Sequence, residues 1–266
     1  MTETPSAVLD RLTVVMDTFD GNARQSLAQI VRRTGLPRSS AHRMLERLVA
    51  LRWLRREGRE YELGMRLVEL GSLAIHQDRL HSSAAPFLHE LHRMTGFVIH
   101  LGILQGNEVV YLDKVGEGLG KKVPSRVGGK QPAHCTAIGK VLLAHSEETP
   151  ASDETLERKT RFSIGSATQL SRELQTVRDR GLAIEREEAV PRFGCIAVPI
   201  GEPGQAVGAV SICGPVDQLK FDNRLAAPLR MAALGMWRNV AGDDVHITPT
   251  LQRRRMMAPQ PLPVAG

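Results

Sequence analysis

Two short amphipathic segments separated by Thr34-Gly35-Leu36-Pro37 constrain this chain more than any other feature of its sequence. Upstream of the turn, Ser26-Leu27-Ala28-Gln29 has capping-box spacing and opens a helix whose inward positions are Leu27, Ile30 and Val31. Gly35 can supply the left-handed residue that ends that helix, Leu36 falls inward, and Pro37 suits the first turn of the next. The second helix sets Ala41, Met44, Leu45, Leu48 and Val49 on one face and Arg38, Ser39, His42, Arg43, Glu46 and Arg47 on the other. A pair of short helices joined in this way, with Arg, Ser and His near the start of the second, is a helix-turn-helix. A preceding helix over residues 7–19 carries Val8, Leu12, Val15, Met16 and Phe19 on one stripe, with Ser6 as its cap and Gly21-Asn22 as its stop. From Arg52 to Leu63 apolar and charged residues alternate around Gly58, which predicts a hairpin and makes the unit a winged helix.

The charge distribution agrees with that motif. Residues 24–59 hold ten arginines against Glu46 and Glu57, in a chain whose net charge is only +6. A basic block on a near-neutral body is the electrostatic footprint of a nucleic-acid surface. Ser39 and Ser40 can donate to phosphates, Arg38 and Arg43 can fork onto a phosphate or a guanine edge, and His42 can reach a base or the backbone. Arg47, on the same helix face, and Arg59, beside Gly58 in the wing, extend the candidate surface. The competing account is an ordinary three-helix bundle with a solvated arginine face.

At 266 residues the chain suits one large domain or two ordinary ones. It has no apolar run long enough to span a bilayer and no signal-peptide pattern, and Cys135, Cys195 and Cys213 are too few for a disulfide framework. A soluble, cytoplasmic protein is expected. Residues 64–80 form a helix whose apolar positions cover more than one stripe, so it must bury two faces: against the winged helix and a partner subunit, or within its own chain.

Beyond it the pattern predicts a helix at 82–94, strands at 97–104 and 108–115 around Gly106-Asn107, and a further strand at Lys121–Val127. A small-residue helix at 136–145 and an amphipathic one at 170–180 follow. Strands at 182–188, 195–200 and 205–213 precede a closing helix at 216–240. Antiparallel runs flanked by helices give an α+β sensor-like domain. The expected organisation is a winged helix-turn-helix domain (5–63), a linker helix (64–81), a sensor domain (82–245) and a disordered basic, proline-rich tail (246–266).

Four ordered blocks resemble the IclR family of bacterial transcription regulators. They are Thr34-Gly-Leu-Pro-Arg-Ser-Ser-Ala-His-Arg43, Gly129 to Ala144 around His134-Cys135-Thr136-Ala137-Ile138-Gly139-Lys140, Gly181 to Ile200, and Gly208 to Pro215. The resemblance covers about residues 5–242. It implies a GAF-like effector-binding domain, a dimer or tetramer on a near-palindromic double-stranded operator, and a small organic acid or aromatic metabolite as effector. Carried over by motif, the effector positions are Ala137, Ile138, Glu185, Cys195, Ser211 and Cys213. Members often have a serine where Cys213 stands, so a hydroxyl is replaced here by a thiol. The resemblance implies no cofactor, metal or membrane partner. Independently of it, the first backbone N–H groups of the 136–145 helix offer a place for a carboxylate.

Two other function classes compete. A small-molecule hydrolase would use Cys195 as nucleophile and His134 as base, but no third group to orient them is evident in the sequence. A DNA-binding protein without a ligand would leave the large second domain unexplained. Metal binding by His89 and His92, or by His134 with Cys135, is less economical than ordinary exposed helical histidines. Gly139-Lys140 is followed by Val141 and lacks the first glycine of a phosphate-binding loop.

Overall fold

The computed structural model describes residues 7–146, 155–202 and 204–242, and the chain divides into two units at the Gln77/Asp78 junction. In the first, α1 (Val8–Asp17), α2 (Leu27–Thr34) and α3 (Arg38–Ala50) enclose Val15, Ile30, Leu36, Ala41, Leu45 and Leu48. The capping box forms: Gln29 N donates to Ser26 Oγ at 3.4 Å, and Ser26 N donates to Gln29 Oε1 at 2.7 Å. Gly35 caps α2 at φ 67°, a conformation that costs glycine nothing, and Leu36 drops into the core as expected. The wing is β2 (Leu54–Glu57) and β3 (Glu60–Leu63), joined at Gly58; the two-residue strand β1 (Gln25–Ser26), too short to read from sequence, pairs with β3. Ser6 lies outside the described residues, and α1 starts at an Ala7 cap that makes no side-chain bond.

The helix expected at 64–80 is α4 (Met65–Gln77) and stops short, because Asp78 begins a new one: its carboxylate accepts from His81 N at 2.7 Å and caps α5 (Arg79–Thr95). The helix expected at 82–94 therefore starts a turn earlier. No residue of α4 is buried, and Met65, Val68 and Leu73 are more than half exposed.

The second unit is built on a six-stranded antiparallel sheet. Its strands are β4 (Val98–Gln105), β5 (Glu108–Val115), β6 (Lys130–Pro132), β7 (Ala183–Arg186), β8 (Phe193–Glu202) and β9 (Gln205–Pro215), in the order β6-β5-β4-β9-β8-β7. The predicted strand at Lys121–Val127 is instead turn and loop: Gly120 and Lys122 close local turns onto Glu117 and Leu119, and β6 takes the edge beside β5. The closing helix, α8 (Asn223–Ala241), starts seven residues later than expected because Asp222 caps it, accepting from Arg224 N at 2.9 Å.

Both faces of the sheet are covered, so its central strands are almost wholly buried. One face packs Ile99, Leu101, Ile196, Val198, Val210 and Ile212 against α5 and α8. The other carries α6 (Ala137–Ala144) and α7 (Ala167–Arg180) over Val109, Tyr111, Ala197 and Ala209. Every residue of α6 is buried. A Cβ on Gly139 would meet the Ala133 backbone at 2.2 Å, so only glycine lets α6 start beneath the preceding 3-10 turn.

Lys140, 1% exposed, ties this second layer together. Its Nζ donates to Glu173 Oε1 on α7 at 3.0 Å, to Glu188 Oε1 at 2.8 Å and to Ile184 O on β7 at 2.7 Å. Removing one member of a buried ion pair costs about 3–5 kcal/mol, because the partner is left uncompensated. Lys140→Met is expected to lower stability by about that much in urea titrations, and adding Glu188→Gln to recover part of it. A loss in Lys140→Met no larger than that of a surface lysine would contradict the role given to this cluster.

Candidate DNA-binding face and effector cavity

Helix α3 sets its apolar stripe into the core and leaves Arg38, Ser39, His42, Arg43 and Arg47 exposed, with Ser40 half-buried. The arginines of the basic block are not equivalent in the fold. Arg24, Arg52, Arg55 and Arg56 are engaged in ion pairs with Glu57, Glu69, Glu62 and Glu46, which neutralise much of the wing. Arg33 is spent on Thr18 O at 3.0 Å and Asn22 Oδ1 at 3.1 Å, holding α2 to the end of α1. Among the described residues no acidic partner meets Arg38, Arg43 or Arg47 on α3, or Arg59 beside the Gly58 turn. Composition gave all ten equal weight; the fold leaves cationic charge where the recognition helix points outward. His42 Nε2 stands 3.8 Å from Glu46 Oε1, so Glu46 is shared with Arg56.

In the second unit one cavity of about 40 Å³ lies between the sheet, the start of α6 and the segments 123–125 and 189–193. All six effector candidates line it: Ala137, Ile138, Glu185, Cys195, Ser211 and Cys213. Strand register brings them together. Val98, Cys213, Cys195 and Glu185 are successive cross-strand partners from β4 to β7, and His100, Ser211, Ala197 and Ala183 form the next row on the same face. From α6, Thr136 Oγ1 accepts from Gly139 N at 3.0 Å and caps the helix. The N–H groups of Ala137 and Ile138 precede the first intrahelical bond, at Lys140 N.

Sequence reading missed several lining residues, chiefly His100, Tyr111, Ser125, Gln131 and Phe193. His100 was legible in principle as the polar residue of an otherwise apolar strand. Its Nε2 is hydrogen-bonded to Ser125 Oγ at 2.7 Å, and burial, with the charge of Lys114 adding to it, drives its pKa down to about 3. It is a neutral imidazole, its ring tilted against that of Tyr111 with centroids 5.0 Å apart. Tyr111 stays a phenol, its pKa raised by burial. Lys114 Nζ donates to Ser125 O at 2.6 Å and Val123 O at 2.8 Å, pinning the segment that covers the cavity.

Glu185 is buried, 2% exposed. Its Oε1 accepts from Glu188 N at 2.5 Å and Ala189 N at 3.1 Å, folding the 187–192 turn over the cavity. In that turn Glu187 and Arg192 adopt φ of 58° and 68°, which costs a non-glycine residue about 1–3 kcal/mol each. The turn is held by Thr160 Oγ1 on Glu187 O and Ser163 Oγ on Glu188 O, each at 2.6 Å, and by Arg192 N on Glu187 Oε2 at 2.8 Å. Burial pushes the Glu185 pKa up to about 7, against the two amides and Lys140, which favour the carboxylate. Among the described residues no lysine or arginine lines the cavity.

His134, the base of the hydrolase alternative, does not line the cavity; its Nε2 is hydrogen-bonded to Glu157 O at 2.9 Å. Among the described residues no three His, Cys, Asp or Glu are grouped to hold a metal ion. No helix among them is long and apolar enough to cross a membrane.

Comparison with known proteins matches both units to family models. Residues 8–58 match the IclR helix-turn-helix domain and residues 72–236 the C-terminal part of the bacterial transcriptional regulator IclR. Among curated proteins, the transcriptional regulator XynR of Escherichia coli is 33% identical over 213 residues, 77% of this chain and 84% of XynR. The regulator KdgR of Dickeya chrysanthemi is 32% identical over 205 residues, 74% and 67% of the two chains. Among solved structures, an IclR homologue from Microbacterium hydrocarbonoxydans complexed with 4-hydroxybenzoate superposes with a TM-score of 0.77 at 28% identity, covering 89% of this chain and 100% of that one. The IclR of Thermotoga maritima gives 0.69 at 26% identity, covering 88% and 98%. The matched relatives are named as regulators, not enzymes.

The titration of Glu185 has a measurable sign. Its folded pKa, about 7, lies above the ordinary 4.5, so the folded state holds its proton more tightly and this contribution is fully present below pH 4.5. Stability is lost as pH rises through 7, by about 3 kcal/mol in all at 1.36 kcal/mol per pKa unit. Glu185→Gln should therefore flatten the fall in wild-type stability between those pH values in denaturant titrations. Parallel curves for the two proteins would place the Glu185 pKa near its ordinary value.

Proposed function

The chain belongs to the IclR family of bacterial transcription regulators, and on that premise we propose that it is a soluble, cytoplasmic, ligand-responsive repressor of a catabolic or metabolic operon. Its operator is a near-palindromic duplex bound by a homodimer or homotetramer. The observation that carries the reading is the convergence of six positions from three separate sequence blocks on the wall of one cavity, in a chain whose other unit presents an unpaired basic helix face. Apolar side chains left exposed on α4 support an oligomer.

On this reading α3 enters the major groove. Arg38, Ser39 and Ser40 meet phosphates at its amino end, His42, Arg43 and Arg47 face the bases and the backbone, and Arg59 reaches from the wing. The effector is a small hydroxy or keto acid, or a neutral aromatic. One oxygen is taken by the N–H groups of Ala137 and Ile138 and a second polar atom by Ser211; a ligand hydroxyl meets Glu185, with Cys195 and Cys213 completing the wall. A lining without lysine or arginine among the described residues supports a singly charged or neutral ligand. So does the 4-hydroxybenzoate held by the Microbacterium homologue.

A cavity of about 40 Å³ has room for about three water molecules, so a ligand of that class enters only if the segment pinned by Lys114 or the 187–192 turn yields. A ligand regulates only as far as it prefers one conformation, and a hundredfold change in operator affinity needs about 2.7 kcal/mol of such preference.

Two substitutions test the reading. Arg43→Ala should weaken binding to a fragment of the protein's own upstream region. A lost base contact costs about 1–3 kcal/mol and relaxes specificity at one position, whereas a lost phosphate contact weakens all sequences alike and flattens the salt dependence. Unchanged affinity and salt slope by fluorescence anisotropy would remove α3 from the interface. Ser211→Ala should lower affinity for the molecule that alters operator binding about tenfold in calorimetry, the scale of one buried hydrogen bond. Equal affinities would mean that the effector sits elsewhere.

A further inference from the structure

The cavity wall contains a feature that effector recognition does not require. Cys195 on β8 and Cys213 on β9 are directly opposed residues of an antiparallel pair, on the same face of the sheet, and both line the cavity. Opposed residues of this kind have Cα atoms about 4.5–5.5 Å apart, inside the window of about 4.4–6.8 Å that a disulfide spans. The two side chains pack in one small cluster, and Glu185 on β7 is the cross-strand partner of Cys195 on its other side. The third cysteine stands apart: Cys135 Sγ donates to Pro132 O at 3.4 Å and does not line the cavity.

We propose that Cys195 and Cys213 are a peroxide-sensitive dithiol that closes to a cross-strand disulfide in the cavity wall. The oxidant is hydrogen peroxide, small enough for a cavity of about 40 Å³. Cys195 is the attacking group, being the more exposed of the two and the one paired across the strands with Glu185, whose carboxylate takes its proton. As its proton passes to Glu185, Cys195 sulfur attacks one peroxide oxygen. The O–O bond breaks, and the departing hydroxide takes up a proton to leave as water.

The resulting sulfenic acid on Cys195 is then attacked by Cys213 sulfur. The S–S bond forms, the S–O bond breaks, and the hydroxyl leaves with the Cys213 proton as a second water. Two thiols are oxidised by two electrons and one peroxide is reduced to two waters. The neighbouring Cys213 and burial hold the Cys195 thiol well above its ordinary pKa, so the reaction is slow compared with that of a dedicated peroxide sensor. The reduced and oxidised proteins present an effector with different walls, one with two S–H groups and one with none.

The test uses the full chain and hydrogen peroxide itself, and reads the bond rather than any effector, so its outcome is separate from that of the proposed function. No Lys or Arg lies between Arg192 and Lys220, so one tryptic peptide carries both sulfurs. After peroxide treatment of the native protein and alkylation, this peptide should have lost two hydrogens and resist alkylation until reduced, while Cys135 remains alkylatable. In Cys213→Ser the reaction should stop at a Cys195 sulfenic acid that dimedone traps. A peptide that keeps both alkylatable thiols, a disulfide to Cys135, or Cys195 carried to sulfinic acid beside an intact Cys213 would each overturn the proposal.

Discussion

The registers of β4, β9, β8 and β7 are the constraint on which the second unit depends. Because side chains alternate along a strand, the same pairing that turns Ile99, Val210, Ile212, Ile196 and Val198 toward α5 and α8 turns His100, Ser211, Cys213, Cys195 and Glu185 the other way. A slip of one residue would exchange the two sets, taking side chains that contribute about 1.5–3 kcal/mol each out of their packing on α5 and α8 and burying polar groups against those apolar helices. The hydrophobic face thereby fixes the cavity face. The polar wall needs no stability of its own, because the opposite side of the sheet holds it in place.

What closes the cavity is less stable by construction. The 123–125 segment hangs on the carbonyl bonds of Lys114, and the 187–192 turn carries two strained residues that side-chain bonds from Thr160, Ser163 and Glu185 offset. Lys140 reaches from α6, whose first turn borders the cavity, to that same turn through Glu188. A ligand that displaced the turn would therefore act on a charged cluster joining α6, α7 and β7. Few-residue elements with two arrangements of this kind are what a binding event can bias.

Much of this was legible in the sequence, for identifiable reasons. The capping box at Ser26, the left-handed Gly35 and the inward Leu36 are local devices whose chemistry does not depend on the rest of the chain, and each is found as read. The effector candidates come from resemblance, since nothing local links Ala137 to Ser211; strand register brings them to one cavity. The residues that were missed depend on non-local geometry. A bulge between Leu101 and Gly102 breaks the alternation of β5 against β4, so that Tyr111, opposite Gly102, and Lys114, opposite His100, share a face although three residues separate them. A period of two cannot predict that. The strand expected at 121–127 does not form, and Pro124 at its centre is the local signal against it. That stretch becomes cover for the cavity because β6 fills the edge beside β5 and Lys114 holds the segment by its carbonyls.

The central claim is that one polar face, fixed by strand register and capped by the start of α6, is where a small molecule acts on a DNA-binding regulator. A crystal structure of the full chain with the metabolite that changes its binding to its own upstream DNA tests this most directly. The account predicts ligand density between Ser211 and the N–H groups of Ala137 and Ile138, with the segment at 123–125 or the turn at 187–192 displaced. Density at any site other than this cavity would contradict it.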